Sequence, residues 1–153
     1  MTDDILIHND VLQRFANLHQ AQRLAHAYLF VGALDIGKSE TALTIAKLLN
    51  CKAPKDGMYC NTCATCLKIQ SGNYPDIHRI SSEEGEAIKI EQIRDLLNQN
   101  KLRTYEAAVK VFIIKNAENM TTESANAFLK TLEEPSANSL IILTTSVPEK
   151  ISA

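Results

Sequence analysis

The sequence lacks any run of about 20 apolar residues of the kind a membrane-spanning helix needs. Its first ten residues, MTDDILIHND, are acidic where a secretory leader is basic and then apolar. These absences predict a cytoplasmic protein with no membrane partner. An excess of charge of one sign is missing too. Sixteen Lys and Arg against eighteen Asp and Glu leave a formal net charge of -2, so no global basic field attracts nucleic acid, and such contacts would have to come from a local patch or an assembly. No internal repeat or low-complexity segment interrupts the chain. What is present is 153 residues, 45% of them apolar, the length and composition of one globular domain with a sizeable core.

Cysteine is scarce and concentrated: Cys51, Cys60, Cys63 and Cys66 fall within sixteen residues. In a reducing compartment this clustering points to metal before a disulfide framework. The C-x8-C-x2-C-x2-C spacing supplies four soft ligands, the number a closed tetrahedral zinc site uses. Zinc would stabilise a turn-rich insert, CKAPKDGMYCNTCATC, that has almost no apolar core of its own. An iron-sulfur cluster is the alternative, since C-x2-C-x2-C also occurs there, but Cys66 is followed by CLK and the usual further Cys-Pro is absent. Redox-active C-x-x-C chemistry fits two overlapping pairs plus a remote cysteine less well. No open coordination position follows, so the metal is given no catalytic role.

Around the insert, apolar periodicity alternates. Val11, Leu12, Phe15 and Leu18 form a helical stripe behind the capping residues Asn9 and Asp10. AYLFVG (27–32) is a nearly continuous apolar run, suited to a strand buried on both faces of a parallel sheet. A helix over 39–50, a strand over 76–80, a helix over about 90–101 and a strand over 108–114 follow. A helix capped by Thr121 or Thr122 and ended by Pro135 comes next, then a strand over 139–145. Such alternation predicts a three-layer α/β fold with a parallel sheet.

Between the first strand and its helix, GALDIGKS fits G-x-x-x-x-G-K-[ST] with Gly32, Gly37, Lys38 and Ser39. In that setting backbone N–H groups bind phosphate, Lys38 reaches the terminal phosphates of ATP and the Ser39 hydroxyl ligates magnesium. Asp35 adds a carboxylate that opposes an anion. Hydrolysis further needs an acid at the end of a neighbouring strand. KVFIIKNAENM supplies Lys115 and Asn116 there. A protonated lysine does not ligate magnesium and an asparagine is not a base. Glu118 comes three residues too late and reads as a solvated glutamate before a helix. The residues therefore predict nucleotide binding without efficient turnover.

HAYLFVG leading into the phosphate loop, the four-cysteine insert after its helix, KVFIIKNAENMT and NAFLKTLEEPSANSLIILTT together resemble the N-terminal AAA+ module of bacterial DNA polymerase III clamp-loader subunits, over about residues 5–148. The resemblance implies a P-loop NTPase sheet in the order 5-1-4-3-2, with Cys51, Cys60, Cys63 and Cys66 as the zinc module (51–66). It also implies that Thr144 or Thr145 stands at the position of the family's first sensor residue. Lys115 and Asn116 resemble the delta prime branch more than the gamma/tau motor subunits, whose strand ends in adjacent Asp and Glu. The implied partners are the other clamp-loader subunits, gamma/tau and delta, and through them the sliding clamp and primed DNA in replication. The competing readings are an autonomous or gamma/tau-like ATPase and a zinc-dependent nucleic-acid-binding module. The family continues into a fifth strand, a lid and a collar. A chain ending at Ala153 is expected to be one N-terminal domain, 1–153, with AYLFV exposed as a sheet edge.

Overall fold

The computed structural model describes residues 9–33, 37–81, 86–101, 108–133 and 138–150; Asp35 and Pro135 lie outside them. The elements are α1 (Asn9–Gln20), β1 (Ala27–Val31), α2 (Lys38–Asn50), α3 (Ala64–Ser71), β2 (Ile77–Ile80), α4 (Ile90–Lys101), β3 (Lys110–Ile114), α5 (Thr122–Glu133) and β4 (Ser139–Thr145). Among the described residues no helix is long and apolar enough to cross a membrane.

The four strands form one parallel sheet in the order β1-β4-β3-β2. This agrees with the α/β architecture expected from the alternating periodicity and with the order the resemblance implies. Strand side chains alternate between faces. On one face Val111, Ile113, Leu140 and Ile142 pack with Leu12 and Phe15 of α1, Ile45 and Leu49 of α2 and Ile69 of α3. On the other, Phe112, Ile114, Ile141 and Leu143 meet Ile93 and Leu96 of α4 and Phe128 of α5. β3 is buried along its whole length, which is why its sequence reads as a continuous apolar run.

The first strand departs from expectation. Its unbroken apolar character suggests burial on both faces, yet β1 is an outer strand that pairs with β4. Tyr28 and Phe30 turn towards α1, with ring centroids 4.6 and 6.0 Å from Phe15. Leu29 and Val31, on the opposite face, stay 44% and 54% exposed. The insert also differs, because α3 carries no strong periodicity and was not anticipated. Cys63 is its N-cap, accepting a hydrogen bond from the Cys66 backbone N–H, and Gly72 ends it at φ 84°. Rather than standing apart, this region joins the domain core through Ile69 and Tyr74, with Met58 and Tyr59 packed alongside.

Two polar contacts fix the elements that carry candidate chemistry. Thr121 caps α5, its hydroxyl accepting from the Ser124 N–H at 3.1 Å. Asn50, fully buried at the end of α2, donates to the Val109 carbonyl at 2.9 Å and accepts from the Val109 N–H at 2.9 Å. The Asn50 amide thereby ties the end of α2 to the approach to β3.

Replacing Asn50 with Ala leaves both Val109 backbone groups without this partner and is expected to destabilise the domain by about 2 kcal/mol, read by urea denaturation. The exposed edge is expected to pair between copies. Light scattering should then show mass rising with concentration, and Val31→Lys should suppress the rise. A clean monomer at high concentration for the unsubstituted chain would count against this role of β1.

Candidate functional site

Parallel strands in an open α/β sheet bring their carboxyl ends to one edge, where the following loops can converge on a ligand. Here that edge holds a cleft of about 180 Å³ lined by Gly37, Lys38, Ser39, Glu40, Lys115, Asn116 and Thr144. Three separate sequence signals meet in it: the glycine-lysine-serine loop, the end of β3 and the end of β4. Gly32 does not line the cleft. Its N–H donates to the Thr145 carbonyl at 3.1 Å, and its own carbonyl accepts from Lys38 Nζ at 2.7 Å. Lys38 also donates to the Ala33 carbonyl at 2.6 Å. Gly37, at φ 89°, opens α2 in the left-handed region and its carbonyl accepts from the Thr41 N–H at 2.9 Å.

The end of β3 presents Lys115 to the cleft and then turns sharply. Asn116 takes φ 58° and leads into a 3-10 turn over Ala117–Asn119. Its N–H donates to the Thr144 hydroxyl at 3.3 Å. Of the two threonines considered for the end of β4, Thr144 is the one at the cleft. The Thr145 hydroxyl instead donates to the Glu118 carboxylate at 2.6 Å and accepts from the Val147 N–H at 3.0 Å. Glu118 is thus not the freely solvated glutamate its sequence position suggests. It is half-buried, held by β4, and absent from the residues lining the cleft.

A second cleft of about 540 Å³ adjoins the first, sharing Ser39, Glu40 and Lys115 and adding Arg79 and Ser81 from the end of β2. Together the described lining carries Lys38, Lys115 and Arg79 against Glu40. The locally cationic surface on a chain of net charge -2 is the electrostatic character an anion requires. No sequence motif marks Arg79; its place next to last in the strand expected at 76–80 is the signal that could have found it.

The four cysteine sulfurs form the other candidate centre. They all lie within 4.8 Å of one another, and Cys51 Sγ is 4.0 Å from Cys63 Sγ. A tetrahedral ion with metal–sulfur bonds of about 2.3 Å needs sulfurs about 3.8 Å apart, so the arrangement fits such an ion with small adjustment. Backbone N–H groups already point at the sulfurs: Cys60 at Cys51 (3.2 Å), Thr62 and Cys63 at Cys60 (3.4 and 3.1 Å), and Cys66 at Cys63 (3.4 Å). Donors of this kind favour the thiolate. Hydrogen bonds from Thr62, side chain first, hold the Cys60 thiol down at about 6. The Cys66 N–H lowers Cys63, while burial pushes Cys66 up to about 12. All four cysteines are free of disulfides and can hold a metal.

A sequence model of the family described as "DNA polymerase III, delta subunit" matches residues 7–152. The chain is 36% identical over 141 residues to DNA polymerase III subunit delta' of Bacillus subtilis, covering 92% of this chain and 42% of that protein. It is 34% identical over 148 residues to subunit tau of Salmonella typhimurium, covering 97% of this chain and 23% of that one. It therefore spans less than half the length of either relative. A solved structure of a DNA polymerase III gamma subunit-related protein from Thermotoga maritima superposes with a TM-score of 0.69 at 24% identity, covering 92% of this chain and 41% of that one. That likeness establishes the fold.

The thiol ladder gives an ordered chemical signature in metal-free protein. The thiolate is the nucleophile, so at neutral pH Cys60, ionised above about 6, is expected to react first with iodoacetamide. Cys66, still a thiol below about 12, should react last. Acidifying through pH 6 should slow the Cys60 reaction. Peptide mass spectrometry checks the order, and uniform labelling or early modification of Cys66 would contradict it.

Proposed function

The chain belongs to the DNA polymerase III delta-subunit family, and from that premise we propose that it is the N-terminal AAA+ module, residues 1–153, of a delta prime-like clamp-loader subunit. In this reading it works in the cytoplasm beside gamma/tau and delta subunits, helping to place the sliding clamp on primed DNA. It keeps a phosphate cradle but does not turn nucleotide over efficiently. The observation that carries the second half is Lys115, an ammonium lining the same cleft as Lys38 and Ser39 at the strand end where a magnesium-binding acid would stand.

Gly32, Gly37, Lys38 and Ser39 are the proposed nucleotide-binding residues, with Thr144 contributing from β4. Lys38 supplies charge to the phosphates, the loop N–H groups supply oriented donors, and Ser39 supplies the hydroxyl for magnesium. Among the described residues no carboxylate stands at the end of β3 to complete the metal site and orient water; Glu40 lines the cleft from α2 instead. Glu118, the nearest acid along the chain, already accepts from Thr145, which weighs against an autonomous ATPase. Cys51, Cys60, Cys63 and Cys66 are the proposed zinc ligands. Holding an ion, these residues would cross-link the end of α2 to the loop at 60–63 and to α3.

Calorimetric titration with ATP, with and without magnesium, run beside a phosphate-release assay, tests the reading. Binding without appreciable release is expected, and Lys38→Ala should weaken that binding about tenfold or more by removing a charge-assisted contact. Appreciable release abolished by Lys38→Ala would overturn the proposal of a cradle without turnover. Complete absence of binding would make the loop vestigial.

A further inference from the structure

We propose that Lys47 is the buried countercharge of the four-cysteine centre, a positioning residue that touches no metal yet sets how tightly the centre holds one. The inference rests on the reading of Cys51, Cys60, Cys63 and Cys66 as metal ligands. It goes beyond that reading by giving a role to a residue outside the cysteine motif.

Lys47 is on α2, one turn before Cys51, and its carbonyl accepts the Cys51 N–H at 2.8 Å. A lysine on a helix near a surface insert would ordinarily extend its ammonium into water. This one is 5% exposed. Its Nζ donates to Asn61 Oδ1 at 3.0 Å and to Gln70 Oε1, and lies 5.8 Å from the centroid of the Tyr59 ring. The three partners come from the insert and the helix that follows it: Tyr59 and Asn61 flank Cys60, and Gln70 is on α3 one turn beyond Cys66. The ammonium is thus enclosed by the same segment that presents the sulfurs.

The chemistry of those partners is the key. Two amide oxygens and an aromatic face solvate a cation, but neither amide brings a negative charge. A buried ammonium without a countercharge is costly. Burial lowers its proton affinity, and a negatively charged metal centre presented by the same segment would favour the charged form. A divalent ion held by four thiolates carries a net charge of two minus, which a half-buried site must also balance. Each charge therefore supplies what the other lacks. Lys52, Lys55 and Lys68 are exposed, so water and salt screen their effect on the centre; Lys47, a buried residue, is screened less.

The test measures zinc affinity by competition with a chromophoric chelator, together with thermal unfolding of the metal-free protein. Two substitutions are compared with the parent chain. Lys47→Met keeps the aliphatic stem and removes the charge. Gln70→Glu changes an exposed residue to its charged isostere and gives Lys47 a private carboxylate. Both are expected to weaken zinc binding about 10- to 100-fold, the range found for groups that support metal ligands without touching the ion. Metal-free Lys47→Met should unfold no lower than the metal-free parent, because an uncompensated buried charge has been removed. Unchanged zinc affinity in both variants would overturn the proposal. So would normal zinc binding by Gln70→Glu alongside a Lys47→Met variant that loses metal-free and metal-loaded stability equally, since that pattern describes a hydrogen-bond strut. If Lys47→Met does not fold, Gln70→Glu alone decides. A parent chain that binds no zinc would remove the metal reading and this inference together, whereas a parent that binds and variants that match it would remove the inference alone.

Discussion

The burial of α2 is the constraint on which both candidate centres depend. Nine of its residues are inaccessible, and they include Thr41, Thr44, Lys47 and Asn50 as well as the apolar Ala42, Ile45 and Leu49. The apolar members pack the helix on the sheet through Val111, Ile113, Leu140 and Ile142. Three of the polar members make side-chain contacts that position their surroundings: Thr44 donates to the Glu40 carbonyl at 2.8 Å, Asn50 bonds Val109, and Lys47 enters the cysteine insert. Buried polar groups are tolerated when they are satisfied. One end of this helix carries Lys38 and Ser39 into the cationic cleft and the other delivers Cys51 to the sulfur cluster. A helix of thirteen residues spans about 20 Å at 1.5 Å per residue, so its seating on the sheet orients two centres that do not touch.

The sheet explains why the cleft has the composition it has. Parallel order places the ends of β2, β3 and β4 side by side, and each contributes a residue: Arg79, Lys115 and Thr144. The turn after β3 is fixed by Asn116 in the left-handed region, a conformation asparagine adopts more readily than most residues. This turn carries Glu118 away to Thr145. The absence of an acid from the described lining at this strand end therefore involves more than a substitution at one position. The local backbone and the β4 hydroxyl hold the nearest carboxylate in a different contact, and Lys115 takes the position facing the loop.

Much of this was legible in the sequence because the signals were local and periodic. The long apolar run of β3, the stripes of α1 and α4, and the cap at Thr121 or Thr122, which the structure assigns to Thr121, each have a mechanism that acts within a few residues. The four cysteines were legible as spacing, and folding brings their sulfurs within 4.8 Å of one another; of the loop residues, Gly37, Lys38 and Ser39 line the cleft, whereas Gly32 pairs with Thr145 outside it. The errors arose where tertiary context decides. β1 has the composition of a central strand, but its place at the outer edge of the described sheet leaves Leu29 and Val31 exposed, and no local signal reports strand order. α3 is short, and its identity depends on a cysteine acting as a cap and on Ile69 finding the main core. Lys47 was invisible for the same reason: in the sequence it is one more lysine on a helix.

The insert is consequently a different kind of object from the one its composition suggests. Read alone, a turn-rich segment with four cysteines implies a module held together by metal and little else. In the fold, Ile69, Tyr74, Met58 and Tyr59 fasten it to the domain core, and Gly57 approaches α1 so closely that an added Cβ would meet Gln20 Nε2 at 3.0 Å. The scaffold of the sulfur cluster is thus supplied by the domain as well as by the insert. The four sulfurs already lie within 4.8 Å of one another, and much of the ordering entropy of the ligand loop is met by packing. A metal would then meet a largely assembled site. Charge is the remaining cost of such a site, because a bound metal would require all four sulfurs, Cys66 included, to converge as thiolates. A buried ammonium on the adjoining helix is placed to offset that charge, as proposed for Lys47, although nothing in the cysteine spacing reveals it.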